Sequence, residues 1–364
     1  MTQIALSNLG KKFGSFTALA QMNLTIGDGE FVALLGPSGC GKSTTMNMIA
    51  GMVDPTEGDI RFDDRSILDV PMSRRGVGFV FQNYAIFTHM SVRENLAYGL
   101  RAQGVSASER NRRVNAMADL LQLSPMLDRR AAGLSVNILQ RLAIGRSAVV
   151  EPAIFLLDEP LSNVDAAFRS VMRSELKALQ RQFSQTLVYV THDQLEAMTM
   201  ADRIAVMDHG KLLQVGTPLE IYNNPQDVFV ARFIGSPGMN ILEGTIASSD
   251  EGKLVDLAST GRSAPLALSD RAASQGLPEK VLFGFRPEQV NPDPNGTMAL
   301  PVNFVERIGA RTILHLGGDG IEAKAVLDNQ IAMPSIGDIL RFSIDPKMVR
   351  LFDPVSGIAI GGDI

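Results

Sequence analysis

Gly36-Pro-Ser-Gly-Cys-Gly-Lys42-Ser43 decides the fold. The apolar run Phe31–Leu35 precedes it, and residues 43–51, with no proline or glycine inside the stretch, follow it. The first has the length of a buried strand and the second suits a helix. Strand, glycine-rich loop and helix in this order match G-x-x-x-x-G-K-[ST], whose backbone N–H groups curl around phosphate oxygens while the helix N-terminus adds partial positive charge. Gly36, Ser38, Gly39, Cys40, Gly41, Lys42, Ser43 and Thr44 are therefore the expected phosphate-contacting residues. Lys42 is expected to reach the outer phosphates of a nucleotide such as ATP, and the Ser43 hydroxyl to ligate Mg²⁺.

Further along, residues 153–157 form another apolar run, ending directly at Asp158 and Glu159. Open α/β sheets place ligand chemistry at the carboxyl ends of their strands. A carboxylate at 158 can hold Mg²⁺ directly or through water, and Glu159 is placed to polarise an attacking water.

The surrounding pattern is of alternating elements. Residues 4–9 and 22–26 read as short strands, with a turn around 27–29. From Ser91 the pattern is helical, and Ser91/Glu94 and Ser106/Glu109 both have capping-box spacing. Residues 109–121, 137–150 and 171–182 and Gln194–Met200 suit helices, while Thr186–Thr191 is another buried strand. Such alternation predicts a parallel α/β core.

After Phe233 the texture changes. Ile234-Gly-Ser-Pro-Gly-Met239 is rich in turn formers, and beyond it come short alternating segments at 254–257, 302–305, 312–316, 321–326 and 339–344. Gly317-Gly-Asp-Gly320 is a hairpin signal between two of them. Residues 1–235 are predicted to form the α/β nucleotide domain, with a helical subdomain at about 84–150, and residues 236–364 a β-rich, OB-like barrel.

Composition narrows the function. The 364 residues are 45% hydrophobic and 20% charged, with a net charge of −5, which does not suit a nucleic-acid partner. No apolar stretch reaches the ~18–20 residues needed to span a bilayer. The first residues lack the plan of a secretory signal. One cysteine, Cys40, leaves no intramolecular disulfide. A cytoplasmic protein is expected, whose membrane role comes through partners.

A family resemblance rests on an ordered set of motifs: Lys12-Phe-Gly14, the phosphate loop, Val80-Phe-Gln-Asn-Tyr84, Thr88-His-Met-Ser-Val-Arg-Glu-Asn95, Pro160-Leu-Ser-Asn-Val-Asp165, Thr191-His-Asp-Gln-Leu-Glu-Ala-Met198 and Ala201-Asp-Arg-Ile204. Gly216-Thr-Pro218, Ile221-Tyr222, Pro225, Phe233-Ile-Gly-Ser-Pro237 and Gly284-Phe-Arg-Pro-Glu288 extend it over nearly the whole chain. The set closely resembles the ATPase subunits of ABC transporters, in the carbohydrate-importer branch typified by the maltose and glycerol-3-phosphate systems. The resemblance implies an aromatic platform for adenine at Phe13. It implies that Gln82 links Mg²⁺ and the attacking water to the helical subdomain, that His192 contacts the γ-phosphate, and that Asp165 communicates across an ATPase dimer. Two membrane-spanning permease subunits, an extracytoplasmic solute-binding protein acting indirectly, and a place at the cytoplasmic face of the inner membrane follow from the same resemblance. An ABC ATPase of DNA repair or translation would carry coiled-coil insertions or tandem halves, which the sequence lacks.

One motif departs. The family has Leu-Ser-Gly-Gly-Gln where this chain has Leu134-Ser-Val-Asn-Ile138, followed by Leu139-Gln-Arg141. The resemblance implies that Ser135 and the helix start behind it meet the γ-phosphate held on the opposite subunit. Glycines permit that approach, whereas Val136 adds a β-branched side chain. Two readings stay open. A homodimer, as of a polyamine or ferric-ion importer, can tolerate the change because Ser135 and the helix dipole remain. The expected alternative is a heterodimer, in which a second ATPase subunit supplies an intact motif to this chain's complete phosphate site.

Overall fold

In a computed structural model, the described residues are 2–162, 164–183, 185–249, 252–256, 266–267, 278–318, 320–328 and 333–360. They divide into two units, Met1–Pro218 and Leu219–Ile364. Asn163, Leu257 and Asp319, which fall within predicted motifs or strands, lie outside the described residues.

The first unit runs β1 (Ile4–Phe13), β2 (Phe16–Ile26), β3 (Phe31–Leu35), α1 (Lys42–Ala50), β4 (Glu57–Phe62), β5 (Arg65–Ser66) and β6 (Val77–Val80). Three helices follow, α2 (Val92–Ala102), α3 (Ala107–Leu120) and α4 (Val136–Ala148). The chain then forms β7 (Ile154–Asp158), α5 (Ala166–Phe183), β8 (Thr186–Thr191), α6 (Gln194–Met200), β9 (Arg203–Asp208) and β10 (Lys211–Gly216).

Its main sheet has the order β10-β9-β3-β8-β7-β6, parallel throughout except for the β10 edge. Every residue of β3 and β8 is buried, which is why β3 and residues 187–190 of β8 read as unbroken apolar runs. A second, antiparallel sheet has the order β2-β1-β4-β5. Leu6, Met22, Leu24, Ile49, Leu156 and Val190 belong to one apolar cluster that includes residues of both sheets and α1.

The strands expected at 4–9 and 22–26 are longer, and they turn at Gly14 rather than only at 27–29. Register shifts after Leu6 and Leu9, and positive φ at Asn8 (47°) and Gln21 (42°), break the period-two pattern of a regular strand. Helix α5 starts at Ala166 instead of 171, because Asp165 Oδ1 accepts from the Phe168 N–H at 2.9 Å. The Ser91 capping box is complete. That at Ser106 is half made: its hydroxyl accepts from the Glu109 N–H at 3.4 Å, but the Glu109 carboxylate binds Arg112 and Arg113.

Helix α1 is fixed at its far end as well. Gly51 (φ 82°) returns its N–H to Asn47 and Met48, and the buried Arg75 guanidinium donates to Met48 O (2.9 Å) and Ile49 O (3.0 Å). A cation on the last carbonyls complements the helix dipole.

The second unit is β-rich. Its sheets are antiparallel: Asn240–Ser249, Gly252–Asp256, Leu266–Ala267, Lys280–Phe285, Arg350–Phe352 and Ala359–Ile360 make one, and Asn291–Pro292, Met298–Ile308, Arg311–Gly318, Ile321–Asp328 and Ile339–Ser343 the other. They share a core including Phe283, Phe285, Leu314 and Phe342. The predicted hairpin is present, with Gly318 paired to Ile321 and Gly320 at φ 82°. Among the described residues no helix is long and apolar enough to cross a membrane.

Candidate active site

Strand order assembles the site. Neighbours β3, β8, β7 and β6 all run parallel, so their carboxyl ends lie side by side. From those ends emerge the loop to Lys42 and Ser43, His192, the Asp158–Glu159 pair and the segment with Gln82, in that order across the sheet. Four segments far apart in sequence thus meet at one edge.

The phosphate loop is held in a shape that side chains would obstruct. Gly41 has φ 100°, and a Cβ there would lie 2.6 Å from Ala18 O; one at Gly36 would lie 2.2 Å from Met207 O. Lys42 is buried at the N-terminus of α1, its Nζ donating to Gly36 O and Pro37 O, both at 2.8 Å. Phosphate oxygens can replace these neutral acceptors with a gain in charge complementarity. Cys40 is also buried, and burial pushes its thiol pKa up. Ser38, Gly39 and Ser43 are exposed, and Thr44 is half-buried.

Ser43 Oγ donates to Asp158 Oδ1 at 3.0 Å. Burial raises the Asp158 pKa, the Ser43 hydrogen bond opposes this, and the neighbouring Glu159 charge adds to the rise. Such a carboxylate gains from a nearby cation. The hydroxyl and carboxylate are hard oxygen donors suited to Mg²⁺, which keeps waters and takes substrate phosphates rather than a protein cage. Among the described residues no group of three or more His, Cys, Asp or Glu is placed to hold a metal.

Glu159 stands at the centre of the polar groups. Its Oε2 lies 3.2 Å from His192 Nδ1 and 3.4 Å from Gln82 Nε2. Its backbone sits at φ 43°, in the left-handed region, with its N–H donated to Val190 O at 3.0 Å. For a non-glycine residue this conformation is a local cost that surrounding contacts must hold in place. Near His192, the buried Glu196 carboxylate accepts from Thr191 Oγ1 (2.7 Å) and Tyr189 OH (2.9 Å). Burial raises its pKa.

Among the described residues the Ser135 side chain makes no hydrogen bond to this cluster, and the Phe13 ring has no group that could. Phe13 is 51% exposed beside the Gly14 turn, with the Lys11 ammonium 4.9 Å from its ring centroid. Ser135 is the N-cap residue of α4 but makes no side-chain capping bond. Val136 behind it is 47% exposed.

Sequence reasoning missed what Asn137 and Gln140 do. Asn137 Nδ2 donates to Asp165 Oδ2 at 3.1 Å, and the buried Gln140 Nε2 donates to Pro160 O. Hydrogen bonds from the Phe168 N–H and then from Asn137 hold the Asp165 carboxyl below its usual range. Nearby, Arg141 pairs with Glu175 at 2.7 Å and lies over the Phe168 ring. The signal for Gln140 was its place on α4 two residues after the altered motif; for Asn137 there was none, since its partner lies 28 residues away.

Residues 19–162 match the family described as ABC transporter, and residues 235–290 match the MalK OB fold domain. The chain is 44% identical over 359 residues to the sn-glycerol-3-phosphate import ATP-binding protein UgpC of Ruegeria sp. (strain TM1040), covering 98% of this chain and 99% of that one. It is 43% identical to the alpha-glucoside transport ATP-binding protein AglK of Rhizobium meliloti (strain 1021), over 97% and 98% of the two chains. Among solved structures it resembles the dimeric post-hydrolysis state of the ATP-binding cassette MJ0796 bound to ADP and Pi, with TM-score 0.54 and 30% identity, over 59% of this chain and 98% of that one.

Proposed function

The chain belongs to the ABC-transporter ATPases, as an ATP-binding subunit carrying a MalK-type OB-fold domain, and on that premise we propose that it powers import of a sugar, polyol or glycerol-phosphate compound together with a second ATPase subunit. Hydrolysis of ATP coupled to transport is its activity. The solute class rests on the relatives, whose names specify glycerol-3-phosphate import and alpha-glucoside transport. Two membrane-spanning permease subunits and an extracytoplasmic solute-binding protein complete the proposed system, which places this subunit peripherally on the cytoplasmic membrane face. Residues 1–235 would serve as its ATPase domain and 236–364 as its OB-like domain.

Each residue has work suited to its geometry. Phe13 offers an exposed ring for the adenine face. Lys42 exchanges two loop carbonyls for phosphate oxygens, and the loop N–H groups meet the remaining charge. Ser43 and Asp158 would hold Mg²⁺, assisted by Gln82, and the ion supplies charge neutralisation at the phosphates. Glu159 would orient and polarise the attacking water, and His192, which shares its carboxylate oxygen with Gln82, would contact the outer phosphate. Closure of two ATPase subunits, sensed through the Gln82 segment, would then turn the membrane subunits.

The observation supporting a second ATPase is an asymmetry within one chain: its Lys42–Asp158–Glu159–His192 set is complete, yet Val136 projects from the first turn of α4 where a close backbone approach needs glycine. Purified alone, the chain is expected to hydrolyse ATP slowly and without cooperativity, and to become fast when joined by the permeases and a companion ATPase. Brisk cooperative hydrolysis by a homodimer would instead support the homodimeric importer reading, including the polyamine or ferric-ion type.

A further inference from the structure

We infer that Asn137 is a positioning residue for the hydrolytic centre of its own chain, acting through the Asp165 turn on Glu159. This rests on the ATPase reading of Glu159 but not on a second ATPase subunit. Residues 160–162 and 164–165 follow Glu159, and a side chain of α4 holds each of these two stretches. Gln140 Nε2 donates to Pro160 O, next to Glu159, and Asn137 Nδ2 donates to Asp165 Oδ2 at 3.1 Å, just before α5 begins. In the first stretch the Ser162 N–H and Oγ both donate to Glu159 O at 3.2 and 3.0 Å, and the Val164 N–H of the second donates to Leu161 O at 3.3 Å. Asp165 is a fitting anchor: its other oxygen accepts the Phe168 N–H at 2.9 Å, and its carbonyl accepts the Arg169 N–H at 2.9 Å. Arg169 in turn donates to Val164 O and lies 3.6 Å from Asp193, the neighbour of His192.

Glu159 needs such support because its own backbone is in the left-handed region at φ 43°. A residue held there keeps its side-chain direction only while the flanking chain is fixed. Asn137 supplies one of the two clamps from α4. It is therefore a gain of contact, where the family pattern, with glycine, offers no side chain at all. The altered motif has two separable parts. Val136 bears on whatever approaches α4 from outside, and Asn137 bears on this chain's Glu159.

The test is a reciprocal exchange in the transporter as assembled, with this chain and the subunits that make it active. Asn137→Asp sets two carboxylates against each other and is expected to lower kcat about five- to tenfold, with the KM for ATP within about twofold of wild type. Combining it with Asp165→Asn restores the donor–acceptor pair with roles reversed, since the introduced amide oxygen can still accept the Phe168 N–H. Asp165→Asn alone is measured as well, because Asp165 has its own expected role across the ATPase dimer, and the double variant is expected to be at least about threefold faster than the product of the two single losses predicts. Melting temperatures of all variants are measured alongside, so that a loss of fold is recognised as such. An Asn137→Asp enzyme of unchanged kcat overturns the proposal, as does a double variant whose loss is simply the product of the two single losses. A failure of the ATPase reading is distinct, because hydrolysis would then be insensitive to Glu159→Gln as well.

Discussion

At the scale of single residues, Glu159 is the point where chemistry and strain coincide. Its carboxylate is shared by His192 and Gln82, and its backbone occupies a region that non-glycine residues rarely adopt. Glu159→Gln preserves length and leaves an amide able to keep one hydrogen bond, but it removes the carboxylate proposed as the base. The expected outcome is a fall in the steady-state hydrolysis rate of the assembled transporter by about 100-fold or more, with ATP binding retained. Hydrolysis close to wild type would remove Glu159 from that role. Glu159 and His192 were both singled out as candidates from their neighbours in sequence. The shared carboxylate was not, because Gln82 lies 77 residues away and meets it only through the order of strands.

Among elements, the helices at 92–148 show how the same local spacing can have different outcomes. Ser91 and Glu94 satisfy each other's backbone donors at 3.1 and 2.8 Å, whereas Glu109 leaves Ser106 for the guanidinium groups of Arg112 and Arg113. Those arginines hold the Glu109 carboxyl down to about 2. An arginine one turn away is a stronger partner than a neutral N–H, and S-x-x-E spacing carries no information about it. Ser91→Ala is therefore expected to lower stability by about 1 kcal/mol. Ser106→Ala should have a smaller effect, since its single bond is long. Thermal or urea melts of the two variants, compared side by side, check the order; equal losses would contradict it.

Over the whole molecule, the motif Gly284-Phe-Arg-Pro-Glu288 finds its reason within the second unit. Arg286 is 2% exposed and faces no carboxylate at hydrogen-bonding distance among the described residues; its guanidinium donates to Tyr222 O, Ala231 O and Ile234 O and lies 4.1 Å over the Tyr222 ring. Burial lowers its pKa, and the carbonyls it reaches belong to the helices Pro218–Asn223 and Val228–Phe233 or their ends. Arg286→Met would leave those buried acceptors unmet, at about 3 kcal/mol. A clear drop in melting temperature is expected with ATP affinity unchanged, since the phosphate-site residues all lie in Met1–Pro218. An unaltered melt would show that the carbonyls find other donors.

The sequence by itself determined the phosphate loop, the acidic pair after β7, the alternation that makes a parallel α/β core and the switch to a β-rich second unit. These are local: a glycine where φ must be positive, an apolar run where a strand is covered on both faces, a hydroxyl next to a lysine at a helix start. The tertiary structure alone decided which side chains share an oxygen, which helix end receives Arg75, where the first strands bulge, and that Asn137 reaches Asp165. Those outcomes depend on strand order and packing, which bring together atoms tens of residues apart, and no local pattern records the distance between them.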